Sequence, residues 1–493
     1  MIPSDGGSAT TFKLMQIRLI GVLALAITIA FPETAVAHEV LRSSTPANGT
    51  TVVQPVTEIR LEFTEKPELP FTTVQLIGAV GGAVSLARPS LSGTTIVFSL
   101  AAPLPPGRYT VTWKTAGKDG HPVSGSFGFA VSDSAASQTS AATARDSGVT
   151  ATARMEEMHH DPVAMPSGRA FDAQSPGFAV IRWAQFTALL ILVGGLAFHF
   201  VVVGFLRRRE PTSDLPQLVA TRVERLVELS AVALLVIAIV RLIAQSYAMH
   251  GTGQPVLAAM WPMITGTTWG TGWILQVLGA GVVLGGLKVS RSAPGVGWPV
   301  AGIGVLLAAF SPGLSGHAAS TPGLAPLAII ADAVHILGAG GWLGSLFFVL
   351  AAGIPAAMSM GAERRDSAVR SLVNAFSPAA LMFAGVTATT GLVAAWLHIG
   401  SIPGLWETTY GRTLLIKLGI LSVVVATGAY NWLRVKPALG KPEASRRLRW
   451  SATGELVVAL LVIAVTAVLV ATPTSMDEEM MRPPSSPPTS AQH

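Results

Sequence analysis

Three patterns of apolar and polar positions follow one another along the 493 residues. The first is short: Lys13 and Arg18 precede the apolar run 19–31 and then Ala35-Val36-Ala37. That basic, apolar, small-residue order predicts a secretory signal over 1–37 with cleavage after Ala37; an uncleaved signal anchor and a true start at Met15 are the alternatives. The second pattern is alternation, in EIRLEF (58–63), TTVQLI (72–77), TTIVFSL (94–100), RYTVTW (108–113) and GSFGFAV (125–131), separated by Gly, Pro and Ser. A period of two places the apolar side chains on one face of each strand. Residues 38–131 are therefore expected to form an all-β, Ig-like or cupredoxin-like sandwich of roughly seven antiparallel strands.

The third pattern is continuous. After a Ser-, Ala-, Thr- and Asp-rich stretch over 132–176 with linker composition, long apolar runs cover about 178–206, 225–248, 270–288, 297–311, 326–351, 376–398, 411–433 and 451–472. A bilayer needs about 20 apolar residues per helix, so 177–473 is expected to be an all-α polytopic membrane domain of eight transmembrane helices, with 474–493 a disordered tail. Basic residues test the count. Arg207, Arg208, Arg209, Arg222 and Arg225, then Lys288 and Arg291, then Arg364, Arg365 and Arg370, then Arg434, Lys436, Lys441, Arg446, Arg447 and Arg449 all fall at alternate connections. The other connections hold almost none, Arg412 excepted, which is the asymmetry of cytoplasmic loops. The sandwich and the carboxyl terminus then both face outward, on the periplasmic side of a bacterial inner membrane.

Composition narrows the function classes. A mean hydropathy of +0.54 with 12% charged residues excludes a soluble multidomain chain, and the net charge of +6 is spread over loops instead of forming a nucleic-acid patch. Cysteine is absent, so any metal is held by His, Met, carboxylates or the amino terminus. There is no G-x-x-x-x-G-K-[ST] loop and no D-K-T-G sequence, so no ATP-driven step is expected on this chain and no enzymatic activity is expected of it.

Cleavage after Ala37 makes His38 the first residue, with an amine and a ring Nδ1 that can chelate one metal ion. A second imidazole at His121, with Asp119 two residues earlier in KDGHPVSG, completes a nitrogen and oxygen set that favours tetragonal Cu(II). An ordinary Asp-Gly turn is the bland reading of the same residues. HEVLRSSTPANG, LPPGRYTVTW and DGHPVSGSFGFAV resemble the CopC copper-binding domain, while SGHA (315–318), DAVHILGAGGWLGSL (332–346) and YGRTLLIKLGI (410–420) resemble the CopD membrane domain. The resemblance implies a natural fusion of the two, serving copper uptake across the inner membrane and copper homeostasis or resistance. TEKPELPF lacks the methionines that some CopC domains carry for Cu(I), so the resemblance implies a Cu(II)-only sandwich; Lys118 stands where serine is more usual before the Asp-Gly-His turn.

Ionisable residues inside a span are costly, and function is the first hypothesis for them. His250, His317, His335 and His398 all map to the outer half, with His317 and His335 the leading candidates for a copper path, Lys417 and Glu455 further candidates, and Tyr247 and Met249 near the entrance. Lys417 is deep enough to call for a partner, and the role of His199 is open. Met155, Met158, His159, His160 and Met165 in the linker are candidate relay ligands. The expected function is capture of Cu(II) on the exported sandwich and inward passage through the helices, with copper ions, the lipid bilayer and a periplasmic copper chaperone as partners. A copper sensor or storage protein is the alternative, as is a haem or copper electron-transfer protein.

Overall fold

The computed structural model describes residues 41–78, 81–118, 120, 122–132, 175–250, 256–321, 323–439, 442–472 and 474. His38, Asp119, His121, the linker residues Met155, Met158, His159, His160 and Met165, and the tail lie outside these residues.

Nine strands build the sandwich: β1 (Leu41–Thr45), β2 (Thr51–Val52), β3 (Glu58–Phe63), β4 (Thr73–Gly78), β5 (Ala83–Val84), β6 (Ser90–Ser92), β7 (Thr95–Ser99), β8 (Gly107–Ala116) and β9 (Pro122–Val131). The five alternating runs fall on β3, β4, β7, β8 and β9. Three of the nine, β2, β5 and β6, are pieces of two or three residues, too short to show a period. One sheet runs β1-β3-β7-β6 and the other β2-β9-β8-β4-β5, antiparallel throughout except at the edge pair β2 and β9, which is parallel. Ile59, Leu61 and Ile96 of the first sheet meet Val111, Trp113 and Phe129 of the second in one buried core. Phe63 stands edge-on to Trp113, with ring centroids 5.3 Å apart. Opposite Trp113 in the β8–β9 register is Gly125, where a Cβ would lie 2.7 Å from the indole. Only glycine leaves room for that ring.

The membrane domain has eight helices long and apolar enough to cross a bilayer: α1 (Pro176–Arg209), α2 (Leu215–His250), α3 (Thr268–Ser290), α4 (Pro294–Leu314), α5 (Ala325–Met358), α6 (Ala362–Ile399), α7 (Thr409–Ala438) and α8 (Arg446–Leu469). Each contains or overlaps one expected span, the short fourth included. Several glycines of α3 and α4 serve close approach: a Cβ on Gly279 would lie 2.5 Å from the Gly304 carbonyl oxygen, and one on Gly297 would lie 2.2 Å from the Ser290 nitrogen. Between helices in lipid there is little hydrophobic gain, so small residues that let backbones touch are how such pairs hold together. The α1–α5 crossing uses the same device at Gly194 and Gly344.

The two ends of the bundle differ in charge. Arg291, in the α3–α4 connection, donates to Glu224 at 3.0 Å and to Glu228 at 2.9 Å, both on the amino-terminal half of α2. Those two carboxylates raise the Arg291 pKa above its ordinary value. The sandwich sits at the opposite end, against the last turn of α2 and the first turn of α3.

Candidate functional site

The sandwich is seated on the helices by its polar backbone and two charged side chains. Glu68, in the methionine-free TEKPELPF segment, accepts from the backbone nitrogen and the hydroxyl of Thr268, each at 3.1 Å. A carboxylate at that position meets the unpaired amides and positive dipole end of α3. Lys114 donates to the Ala248 carbonyl, Gln245 Nε2 donates to the Gly120 carbonyl at 3.1 Å, and Phe71 lies edge-on to Trp269 at 6.5 Å. Phe71, Ala116, Met249, Met263 and Trp269 bury one another at this joint. Gly120 has φ +72° and rests against the Trp269 ring, so this glycine is held by α2 and α3.

Beside this joint three rings converge. His317 opens a 3₁₀ turn after α4, His398 is one residue from the end of α6, and Tyr410 lies in the first turn of α7. Their ring centroids are 5.9 Å apart for His317 and His398, 6.4 Å for His317 and Tyr410, and 6.3 Å for His398 and Tyr410. Two imidazoles that share one metal ion, each with about 2 Å from nitrogen to metal, place their centroids roughly 5–6 Å apart. The pair therefore has the spacing of a two-imidazole metal site. His398 Nδ1 is 2.7 Å from the Ala394 carbonyl oxygen, which can only accept. Nδ1 therefore carries the proton, and in the neutral ring Nε2 is the lone-pair nitrogen a metal requires.

Deeper in the bundle, His335 of α5 is oriented the same way. Its Nδ1 is 3.0 Å from the Thr390 hydroxyl of α6, whose own proton goes to the Val386 carbonyl at 2.8 Å. The hydroxyl then accepts from Nδ1–H, and Nε2 again holds the lone pair. Asp332, three residues before His335 on the same helix, and Lys417 of α7 interact as opposite charges, and Asp332 also acts on Tyr410. Lys417 thus has an opposite charge near enough to act on it, with no ion pair closed between the two. Asp332 is the site residue that reading the sequence missed, although an acid at i−3 from a buried histidine inside a span was a visible signal.

The other candidates fall elsewhere. His250 Nε2 donates to the Pro70 carbonyl of the sandwich at 3.0 Å, and Met249 is buried in the joint, so both serve docking. Tyr247 is partly exposed. Glu455 accepts from Asn431 Nδ2 at 3.2 Å. Asn431 lies fourteen residues beyond Lys417 on one continuous helix, roughly 21 Å along its axis, so Glu455 belongs to a separate polar group near the opposite end. His199 stacks on Trp298 at 3.5 Å with the rings 14° apart. Arg412 lies exposed at its helix mouth and donates to the carbonyls of Trp406 and Glu407, each at 3.0 Å. Among the described residues no three His, Asp or Glu side chains converge on one metal position.

Comparison with known proteins bears on this architecture. The family model described as CopC domain matches residues 41–132, that for the copper resistance protein D-like N-terminal domain matches 172–327, and that for copper resistance protein D matches 370–469. The copper transport protein CutJ of Bacillus subtilis (strain 168) is 26% identical over 429 residues, spanning 84% of this chain and 71% of that protein. Copper resistance protein C of Xanthomonas campestris pv. juglandis is 34% identical over 106 residues, which cover 20% of this chain and 83% of that one. Among solved structures, the crystal structure of PcoC, a methionine-rich copper resistance protein from Escherichia coli, aligns with 19% of this chain and 99% of its own at 30% identity, with a TM-score of 0.18. Sandwich, matched halves of the helical domain and a relative spanning most of the length agree: this chain is a multi-pass membrane protein that belongs to the copper resistance C and D family, as a fusion of a CopC domain with a CopD membrane domain.

Proposed function

We propose that this chain is a copper transport protein of the bacterial inner membrane, whose exported sandwich captures Cu(II) and whose helices pass copper inward in the service of copper homeostasis. The observation that carries the proposal is the His317, His398 and Tyr410 group at the same end of the bundle as the docked sandwich. In the capture step the amine and ring of a mature His38 combine with His121, and Asp119 completes or braces the set. Two imidazoles hold an ion less tightly than a closed four-ligand cage. A transport site has to bind well enough to load and weakly enough to release. His335 is the next imidazole along the path, and the Asp332–Lys417 pair offsets part of the cost of bringing charge to that depth. No catalytic turnover is assigned to the chain. Copper ions, lipid and a soluble chaperone on the outer side are its partners in this scheme.

The test is copper accumulation in proteoliposomes that hold the purified full chain with the sandwich outward. Wild-type protein is expected to fill the lumen; His317→Ala and His398→Ala together are expected to reduce the initial rate at least tenfold while the sandwich still loads copper. A sensor or storage protein would load the sandwich and leave the lumen empty in every variant. A Soret band in the purified protein's optical spectrum would move the histidine pair to an electron-transfer role. The amine chelate is tested separately by EPR: one extra residue before His38 is expected to change the Cu(II) signal, and an unchanged signal removes the amine from the site.

A further inference from the structure

We infer that Glu455, toward the end of the bundle opposite the sandwich, is an exchange site where the transported cation and a proton take turns on one carboxyl group. The cation half of the inference rests on the transport reading; the proton half does not. Glu455 is 4% exposed and lies inside α8, about 14 Å along the helix from Arg446. Its Oε2 accepts from Asn431 Nδ2 of α7 at 3.2 Å, and Asn431 Oδ1 accepts from the Ser451 hydroxyl at 2.5 Å. Its Oε1 faces Gly428 of α7, where a Cβ would lie 3.4 Å away, so glycine keeps the space beside that oxygen clear. Asn431 also opens a π-helical segment, Asn431–Val435, where α7 leaves its regular ladder. Wide turns of that kind gather at functional sites.

This geometry serves both forms of the carboxyl. An amide N–H donates equally to a carboxylate oxygen and to the carbonyl oxygen of a neutral acid, so Oε2 keeps its partner while Oε1 gains or loses a proton. One neutral donor is little against the hydration that a buried carboxylate forgoes, and the neutral acid is the resting form. Around Glu455 the stretches of α1, α7 and α8 are described throughout. The ionisable groups on the packed elements are His199 and Arg207 of α1, Arg434 and Lys436 of α7, Arg370 of α6 and Arg447 of α8; α5 brings none at this depth. His199 stacks on Trp298 and Lys436 lies over Trp432 at 4.1 Å, while burial and the Asn431 hydrogen bond act on Glu455. When the cation arrives, the Oε1–H bond breaks, the proton leaves to water at this end, and the carboxylate takes the cation. Release of the cation returns a proton to Oε1, so no net proton crosses the membrane. Carboxylate suits copper less well than imidazole does, which fits a last site before release.

The experiment is infrared spectroscopy of the full chain in nanodiscs at neutral pH. Wild-type protein is expected to show a carboxylic-acid C=O band that Glu455→Gln lacks and Glu455→Asp shifts. Copper(II) sulfate, added with or without ascorbate, is expected to bleach that band, and the free copper required is expected to rise about tenfold for each unit by which pH falls, as one-proton competition demands. Wild type and Glu455→Gln with the same acid bands, or a Glu455 band indifferent to copper in both forms, overturns the inference. If Glu455→Gln fails to fold, Glu455→Asp decides: a shifted band supports the assignment and an unmoved one overturns it. In proteoliposomes Glu455→Gln is expected to slow lumenal copper accumulation at least fivefold. A lumen that stays empty with wild-type protein would sink the transport reading alone, since the band and its response to copper are read without transport.

Discussion

His317 and His398 meet across a gap of eighty residues in sequence, and two of the membrane histidines are oriented by hydrogen bonds. His398 has its own helix carbonyl at Ala394, and His335 has the Thr390 hydroxyl, so both rings present Nε2. Thr390→Val removes the acceptor of the His335 Nδ1–H. It is expected to cost about 1–3 kcal/mol in stability through a buried, unpaired donor and to slow copper movement past that depth, which Tm and the proteoliposome rate measure together. In the sandwich, Gly125→Ala drives a methyl into the Trp113 indole, which is buried and has nowhere to turn. A destabilisation of about 1–3 kcal/mol is expected, read as a fall in sandwich Tm and a red shift of tryptophan emission. Of these residues the sequence showed types and depths; the 5.9 Å meeting of His317 with His398 was invisible, because no spacing rule links a loop to the end of a helix two spans later.

Along helices and strands the reading was fuller. Each of the five alternating runs became a strand and each apolar run a span, since periodicity and length are properties of one segment. The short pieces β2, β5 and β6 escaped because two or three residues carry no period. Close helix packing accounts for part of the glycine in α3 and α4, where Gly279, Gly286, Gly297 and Gly304 mark a contact surface. Gly304→Leu is expected to prise α4 from α3, since even a Cβ there would stand 2.5 Å from the Gly279 carbonyl oxygen. Loss of folded protein on size-exclusion chromatography in detergent is the expected readout, and an intact monodisperse peak would count against close packing at that point. Glu68 joins two elements, a sandwich loop and the amino terminus of α3. Glu68→Gln keeps the shape but removes the charge, at a cost of about 0.3–1 kcal/mol, and faster hydrogen exchange at Thr268 and Gly270 is the expected sign.

For the chain as a unit, docking is the feature that holds the sandwich on the helices. The segment TEKPELPF, read in the sequence only as a place lacking methionine, is the sandwich's foot on the bundle through Glu68, Pro70 and Phe71. The combined variant Glu68→Lys and Lys114→Glu places a positive charge at the start of α3 and a negative one against the end of α2. It is expected to release the sandwich, leaving its copper affinity unchanged while lumenal copper accumulation falls severalfold. Equal accumulation in that variant would mean that capture and passage are independent.

What the amino-acid sequence determined by itself was whatever lies within a single segment: the two kinds of element, their number in the membrane, the side on which the basic loops gather, and the residue types able to hold copper. Strand period, span length and loop charge are each set by neighbours along the chain and by the solvent each segment meets. What only the tertiary structure decided was which distant groups share a space. His317 came to His398 and Tyr410, Arg241 to Ser315, and His250 to the sandwich instead of to the other histidines. Those meetings depend on how eight helices and two sheets pack, and packing is settled by contacts between surfaces far apart in sequence, such as the glycine faces of α3 and α4, whose partners no local pattern names.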